Sequence, residues 1–174
     1  VSSDSLFFLL ICATACERFA ELAVSRRNAA WSFARGGREY GGGHYPLMVA
    51  LHVALLVGAP AEVFFFSRPF VPVLGWPMFG LVLAAQALRW AAVATLGTHW
   101  TTRVIVVPGT ERIRSGPYRF MRHPNYLAVV VEGFALPLVH TAWITAALFT
   151  SANLPLLAVR IRCEERALLG KAAA

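Results

Sequence analysis

Arg122-His123-Pro124-Asn125-Tyr126, followed at once by Leu127-Ala128-Val129-Val130-Val131, is where this chain passes from polar to apolar within a few residues. The residue before a proline is pushed away from helical geometry, whereas proline itself suits a first helical turn. The stretch therefore predicts a helix that begins at Pro124, with His123 at its cap. Free backbone N–H groups and the positive dipole end at such a start favour an anionic group. Asn125 and Tyr126 project from the same turn. Gly116-Pro117-Tyr118 leads into the cluster, and Glu164-Glu165 closes the last apolar run. Polar groups are costly beside lipid, so a cluster this dense predicts a functional site. Arg119 is read differently, as part of a headgroup-level belt that anchors the helix.

Outward from this stretch the chain is apolar. Its 174 residues are 57% hydrophobic, and the mean hydropathy of +0.59 describes one unit too apolar for an ordinary soluble domain. A spanning helix needs roughly 20 residues at about 1.5 Å rise each. Five segments are candidates, near 5–24, 46–66, 72–96, 124–139 and 142–162. The fourth is short and holds Glu132 and Pro137. The first has no basic residue ahead of it, carries Glu17-Arg18 inside and is followed by Arg26-Arg27, which suits a spanning helix better than a signal peptide. The expected fold class is an all-α integral membrane protein with about five transmembrane helices. It forms a single membrane domain over residues 1–174, with helices one to three in 1–96 and a loop with helices four and five in 97–174.

The net charge of +7 is uneven. Arg26, Arg27, Arg35 and Arg38 fall in the first expected loop, and Arg103, Arg112, Arg114, Arg119 and Arg122 in the third. Arg160, Arg162, Arg166 and Lys171 lie at the end, against Arg68 alone on the other side. Positive-inside bias then puts the N-terminus outside and the C-terminus in the cytoplasm. The arginines follow loop topology and no recognition module accompanies them, so nucleic acid is not an expected partner. Cys12, Cys16 and Cys163 make no staple framework, and the five histidines are scattered, which argues against a metal site.

Two cytoplasmic connections carry signals. Gly36-Gly37 and Gly41-Gly42-Gly43 precede His44-Tyr45-Pro46; no Lys-Ser/Thr follows, so a flexible connector is expected rather than a phosphate cradle. His44 and Tyr45 stand at the mouth of helix two as contacts for a headgroup or substrate. Thr102-Arg103-Val104-Ile105-Val106-Val107 is β-branched and broken by Pro108-Gly109, which predicts an extended stretch, then a turn, folded back over the helix ends as a lid.

Charged pairs complete the reading. Arg160 with Glu164, and Arg162 with Glu165, are spaced to share a helix face. Adjacent Glu164 and Glu165 point in different directions, so only one need face a ligand amine or ribose hydroxyls. Arg89 and Glu132 fall at similar depth, about 10–12 Å inside their helices by rise. Lone charges there would be expensive, so they are expected to pair or share a polar cavity. Glu17, Arg18 and Glu21 form a similar set.

The order Ser115-Gly116-Pro117-Tyr118-Arg119, Arg122-His123-Pro124-Asn125-Tyr126 and Glu164-Glu165-x-x-Leu168 resembles the isoprenylcysteine carboxyl methyltransferase family of integral membrane enzymes. The resemblance covers about the last 80 residues. It implies S-adenosylmethionine, released as S-adenosylhomocysteine, bound without a Rossmann domain in a cytoplasmic pocket made by the C-terminal helices and connecting loop. It also implies that Gly116, Pro117, Tyr118, His123, Asn125, Tyr126, Glu164 and Glu165 are cofactor-pocket residues. Arg122 and Arg160 would orient a carboxylate acceptor. A carboxylate needs no base, whereas a phenol with a pKa near 10 would use one, from His44, Glu132 or Glu164. The chain is short and rich in Ala, Gly and Arg, which reads as bacterial and as an inner-membrane protein. His44-Tyr45-Pro46 and Thr102-Arg103-Val104-Ile105-Val106 resemble bacterial relatives associated with long-chain polyketide phenols and pyrones. That resemblance implies an amphipathic lipid acceptor rather than prenylated cysteine, with the acceptor group left open. Two alternatives stay open: an NADPH-dependent membrane reductase on a similar helical core, as in sterol reductases, and a non-enzymatic lipid-binding subunit.

Overall fold

The computed structural model describes residues 2–169; Lys171 lies outside them. Five α-helices run up and down: α1 Ser3–Phe33, α2 Tyr45–Phe65, α3 Pro72–Leu96, α4 Pro124–Leu138 and α5 Trp143–Leu168. A small two-stranded antiparallel ribbon joins them, β1 Arg38–Tyr40 against β2 Val104–Val106, with Glu39 opposite Ile105. Among the described residues, three helical segments are long and apolar enough to cross a membrane: Gly42–Phe65, Pro72–His99 and Trp143–Leu168. Helix α4 has 15 residues, about 22 Å by rise and shorter than the roughly 30 Å hydrocarbon core. Helix α1 has the length but carries charge along its C-terminal half.

Burial runs in the sense a bilayer requires. Large apolar side chains such as Phe19, Val57, Phe64, Trp76, Leu83, Trp90 and Leu148 face outward. Glu62, Arg89, Glu132, Asn153 and Arg160 are buried. The apolar core sits toward the end where α1 begins, where Phe7, Ile11, Ala59, Val63, Val82, Ala135, Leu136 and Val139 pack together. That end closes with short turns. Glu62 accepts from the Ile144 and Thr145 backbone N–H groups, at 3.1 and 2.7 Å, and so caps the start of α5 from α2. It also accepts from the Thr145 hydroxyl at 2.8 Å and pairs with Arg68 at 2.9 Å. Close packing of α4 on α5 requires Gly133, because a Cβ there would collide with the Phe149 ring.

Two sequence expectations are corrected. Helix α1 runs on to Phe33 instead of ending near 24, so Arg26 and Arg27 lie on a helix rather than in the first loop. Hydropathy falls at Arg26, but nothing in 25–33 stops helix propagation; Gly36, at φ 77°, does. The connector 34–44 is not a flexible glycine run either. It holds β1 and a 3₁₀ turn at Gly42–His44, because the extended stretch at 104–106 offers backbone groups to pair with.

Candidate active site: two chambers with a common wall

At the opposite end of the bundle, the Arg122–Tyr126 stretch forms the predicted start of α4, at Pro124 with His123 as cap. Two cavities meet there. One is polar, about 160 Å³, roofed by residues 103–107 of the ribbon and bounded by Arg112, Tyr118, Arg122, His123, Glu164 and Leu168. The other, about 200 Å³, is lined largely by apolar side chains of α1 and α2, among them Phe19, Leu22, Val49, Val53 and Leu56. Trp100, Asn125, Tyr126 and Arg160 line both.

The shared wall is tightly bonded. The Tyr126 hydroxyl donates to Glu164 and accepts from Arg160 Nε at 2.9 Å. Arg160 Nη2 donates to the Thr102 carbonyl at 2.6 Å, and Nη1 to Met48 Sδ at 3.3 Å. Thr102 is itself fixed by Ser25 and Tyr45 hydroxyls, at 2.8 and 3.2 Å. Arg160 is only 4% exposed. Among the described residues it has no carboxylate within ion-pair distance, so the expected Arg160–Glu164 pair does not form, and neither does Arg162–Glu165. The reason is local: Tyr126 comes between Arg160 and Glu164 and bonds both.

Glu164 and Glu165 separate as adjacent helical residues must. Glu164 lines the polar chamber, whereas Glu165 faces His123 Nε2 at 3.4 Å and exposed Arg122 at 3.8 Å. The His123 ring stacks on Tyr126 with centroids 5.4 Å apart. Asn125 Oδ1 is buried at the wall without a partner among the described residues. Burial, and then the Glu164 charge, push the Tyr118 phenol above its ordinary pKa, so it stays an O–H donor at the polar chamber. Gly116 and Pro117 lie behind that chamber. Gly116, at φ 52°, lets the turn sit against Thr95, whose side chain a Cβ would meet.

Two candidate bases lie off the wall. Glu132 is bound to Arg89, and Arg18 stands 4.0 Å away. His44 lines neither chamber; its ring packs by Gly41 near Cys163, and Tyr45 and His52 face the apolar chamber instead. Sequence reasoning passed over several residues that shape the site. Asn28 donates to the Gly97 and Trp100 carbonyls at 3.0 and 2.8 Å and so fixes the chain after α3. His52 and Asn153 line the apolar chamber. An isolated polar residue within an apolar helix was the available signal for these two.

A family profile described as the isoprenylcysteine carboxyl methyltransferase family matches residues 78–170, which includes α4, α5 and the whole connection before them. The chain belongs to that family. It is 38% identical over 164 residues to YpbQ, an uncharacterised protein of Bacillus subtilis (strain 168), covering 94% of this chain and 96% of that one. It is 30% identical over 154 residues to an uncharacterised protein of Haemophilus influenzae, covering 87% and 88%. No solved structure matches it. Membership, with the apolar helices, makes this a membrane protein and implies a methyltransferase.

Proposed function

We propose that the protein transfers a methyl group from S-adenosylmethionine to an oxygen of a lipophilic acceptor, a carboxylate or a phenol or enol hydroxyl. The observation that carries this reading is the wall of Trp100, Asn125, Tyr126 and Arg160 between a polar and an apolar chamber. A charged nucleoside suits one side and a lipid the other, with the reacting atoms at the partition. All five helices cross the bilayer in this reading, with the N-terminus outside and the chambers at the cytoplasmic face of a bacterial inner membrane. The apolar chamber, between α1 and α2, admits acceptor from the lipid.

The residues fit the cofactor. The polar chamber offers Arg103, Arg112 and Arg122 to a carboxylate, and Glu111 and Glu164 to an ammonium or ribose hydroxyls. Trp100, His99 and Tyr118 give flat surfaces for a base. The unpartnered Asn125 Oδ1 is a buried acceptor that a ligand donor would satisfy. S-adenosylmethionine supplies, when bound, an electrophilic methyl carbon on a sulfonium. Arg160 holds the acceptor oxygen by its buried charge, and Tyr126 fixes the guanidinium in place. The ribbon covers one side of the polar chamber. In-line approach within about 3–3.5 Å makes positioning the larger part of the acceleration.

Calorimetric titration of S-adenosylhomocysteine into detergent-purified protein tests this reading. Micromolar binding, lost in Tyr126→Phe and Glu164→Ala while both variants stay folded, is expected. Binding of NADPH instead, or of neither, overturns it.

A further inference from the structure

We infer that His52 is the general base of this site and that the acceptor is a hydroxyl compound. The inference rests on the methyltransferase reading and narrows it. His52 lies on α2 with Nδ1 2.8 Å from the Met48 carbonyl oxygen. A carbonyl only accepts, so Nδ1 carries the hydrogen and Nε2 keeps its lone pair. Nε2 has no hydrogen-bond partner among the described residues, and the residue lines the apolar chamber. The ring stands edge-on to Phe149, centroids 5.4 Å apart, which holds its plane.

Position and elimination both favour it. Met48 touches Arg160 through its sulfur, and His52 is one helical turn further along α2, about 6 Å by rise. The acceptor oxygen would then sit between Arg160 and the His52 ring. The other groups on this chamber are committed. Glu21 lies between two guanidiniums, Arg18 at 2.8 Å on Oε2 and Arg89 at 3.9 Å from Oε1, which hold it as their counter-ion, while the Tyr45 hydroxyl is met by Thr102 and the Tyr126 hydroxyl by Glu164 and Arg160. Arginines have no lone pair to offer. The charges around the ring are Arg18 and Glu21 from α1, Arg89 from α3, Glu132 from α4 and Arg160 from α5.

The step balances. The acceptor O–H proton passes to Nε2 as the oxygen forms a bond to the methyl carbon. The carbon–sulfur bond breaks with its electron pair left on sulfur, and the sulfonium becomes a neutral thioether. His52 then releases the proton to water. A carboxylate acceptor has no proton to give up, so a base on this chamber selects the hydroxyl class.

The test uses two probes, 4-nonylphenol and the more acidic 4-nonyl-2-nitrophenol, with the full-length protein in detergent. His52→Gln and His52→Asn, checked by S-adenosylhomocysteine binding, should lose about 10²–10⁴-fold in kcat/KM toward 4-nonylphenol. Their loss toward the nitrophenol, assayed above its pKa where it is already ionised, should be under tenfold. In the S-adenosylhomocysteine complex, below the free probe's pKa, wild-type protein should raise the nitrophenolate absorbance and His52→Gln should not. Equal losses on both probes, no loss on either, or wild-type transfer to neither phenol overturns the base. Transfer to palmitate alone does so too and leaves the methyltransferase reading standing; absence of S-adenosylhomocysteine binding removes both.

Discussion

Two sets of buried or half-buried charges lie beside the apolar chamber, and they differ in how each charge is met. In the inner set, between α1, α3 and α4, every side chain faces an opposite charge: Arg18 meets Glu17 at 3.0 Å and Glu21 at 2.8 Å, and Arg89 meets Glu132. Gln86 and the Trp90 indole bind Glu17 as well. At the wall, Arg160 meets only a phenol, a carbonyl and a thioether. Charges that answer one another hold helices together in a medium where a lone charge is costly. A buried cation with neutral partners is still available to an anion, and it faces both chambers. The inner set is therefore architecture and the wall is the site.

The largest expected effect breaks the inner set. Glu132→Ala leaves Arg89 buried without its carboxylate, which should cost about 3–5 kcal/mol. Thermal unfolding in detergent would show it as a lowered Tm, and Arg89→Ala combined with Glu132→Ala should recover part of the loss. An unchanged Tm in the single variant would mean that these charges do not support the fold, and the comparison would fail on that side.

Arg160→Ala should do the reverse. The protein should fold, because its partners there are neutral, while methyl transfer falls about 10²–10³-fold, the usual loss when a buried donor facing developing or bound charge is removed. Arg160→Lys should not restore the rate, since one ammonium cannot serve three directed partners at once. Radiolabel transfer from S-adenosylmethionine into extracted lipid measures this. A variant that melts early but keeps its rate would move Arg160 to the architectural set.

These two sets were unequally legible in the sequence. Arg89 and Glu132 stand alone in apolar runs, so helix rise alone put them at one depth, and they pair. The Pro124 helix start was legible because proline constrains both itself and its predecessor. Helix ends were less so: α1 outruns its apolar segment because hydropathy marks where lipid stops, not where hydrogen bonding stops. Three-residue β1 has too short a pattern to announce itself, and its partner lies more than sixty residues away in the chain. His52 escaped notice for a related reason. Its tautomer depends on the carbonyl one turn back, which is geometry and not composition. The wall shows the limit best, since spacing suggested Arg160 with Glu164, but Tyr126 from another helix took both.

A smaller effect tests whether helix approach sets up both charge clusters. Gly133→Ala pushes a methyl toward the Phe149 ring beside Glu132. Overpacking of this kind should cost about 1–3 kcal/mol. Unfolding of Gly133→Ala and of Gly133→Ala with Phe149→Leu would separate the clash from any other cause, because the smaller side chain should relieve it. Loss in the first without relief in the second would place the constraint elsewhere on α4.

The smallest effect comes from a third kind of pair, opposite charges in water. Arg103 on the ribbon lies 3.2 Å from Glu39, and both side chains are partly exposed. Such bridges contribute about 0.2–1 kcal/mol and weaken with salt. Glu39→Ala should therefore barely lower the Tm, and raising the salt concentration should erase the difference. Arg103→Ala should have an equally small effect on the Tm yet weaken S-adenosylhomocysteine binding, because Arg103 also lines the polar chamber and lies over the Tyr45 ring at 5.3 Å. If both variants weakened binding alike, the bridge itself would be holding the roof over the cofactor, and an exposed ion pair would belong with the site.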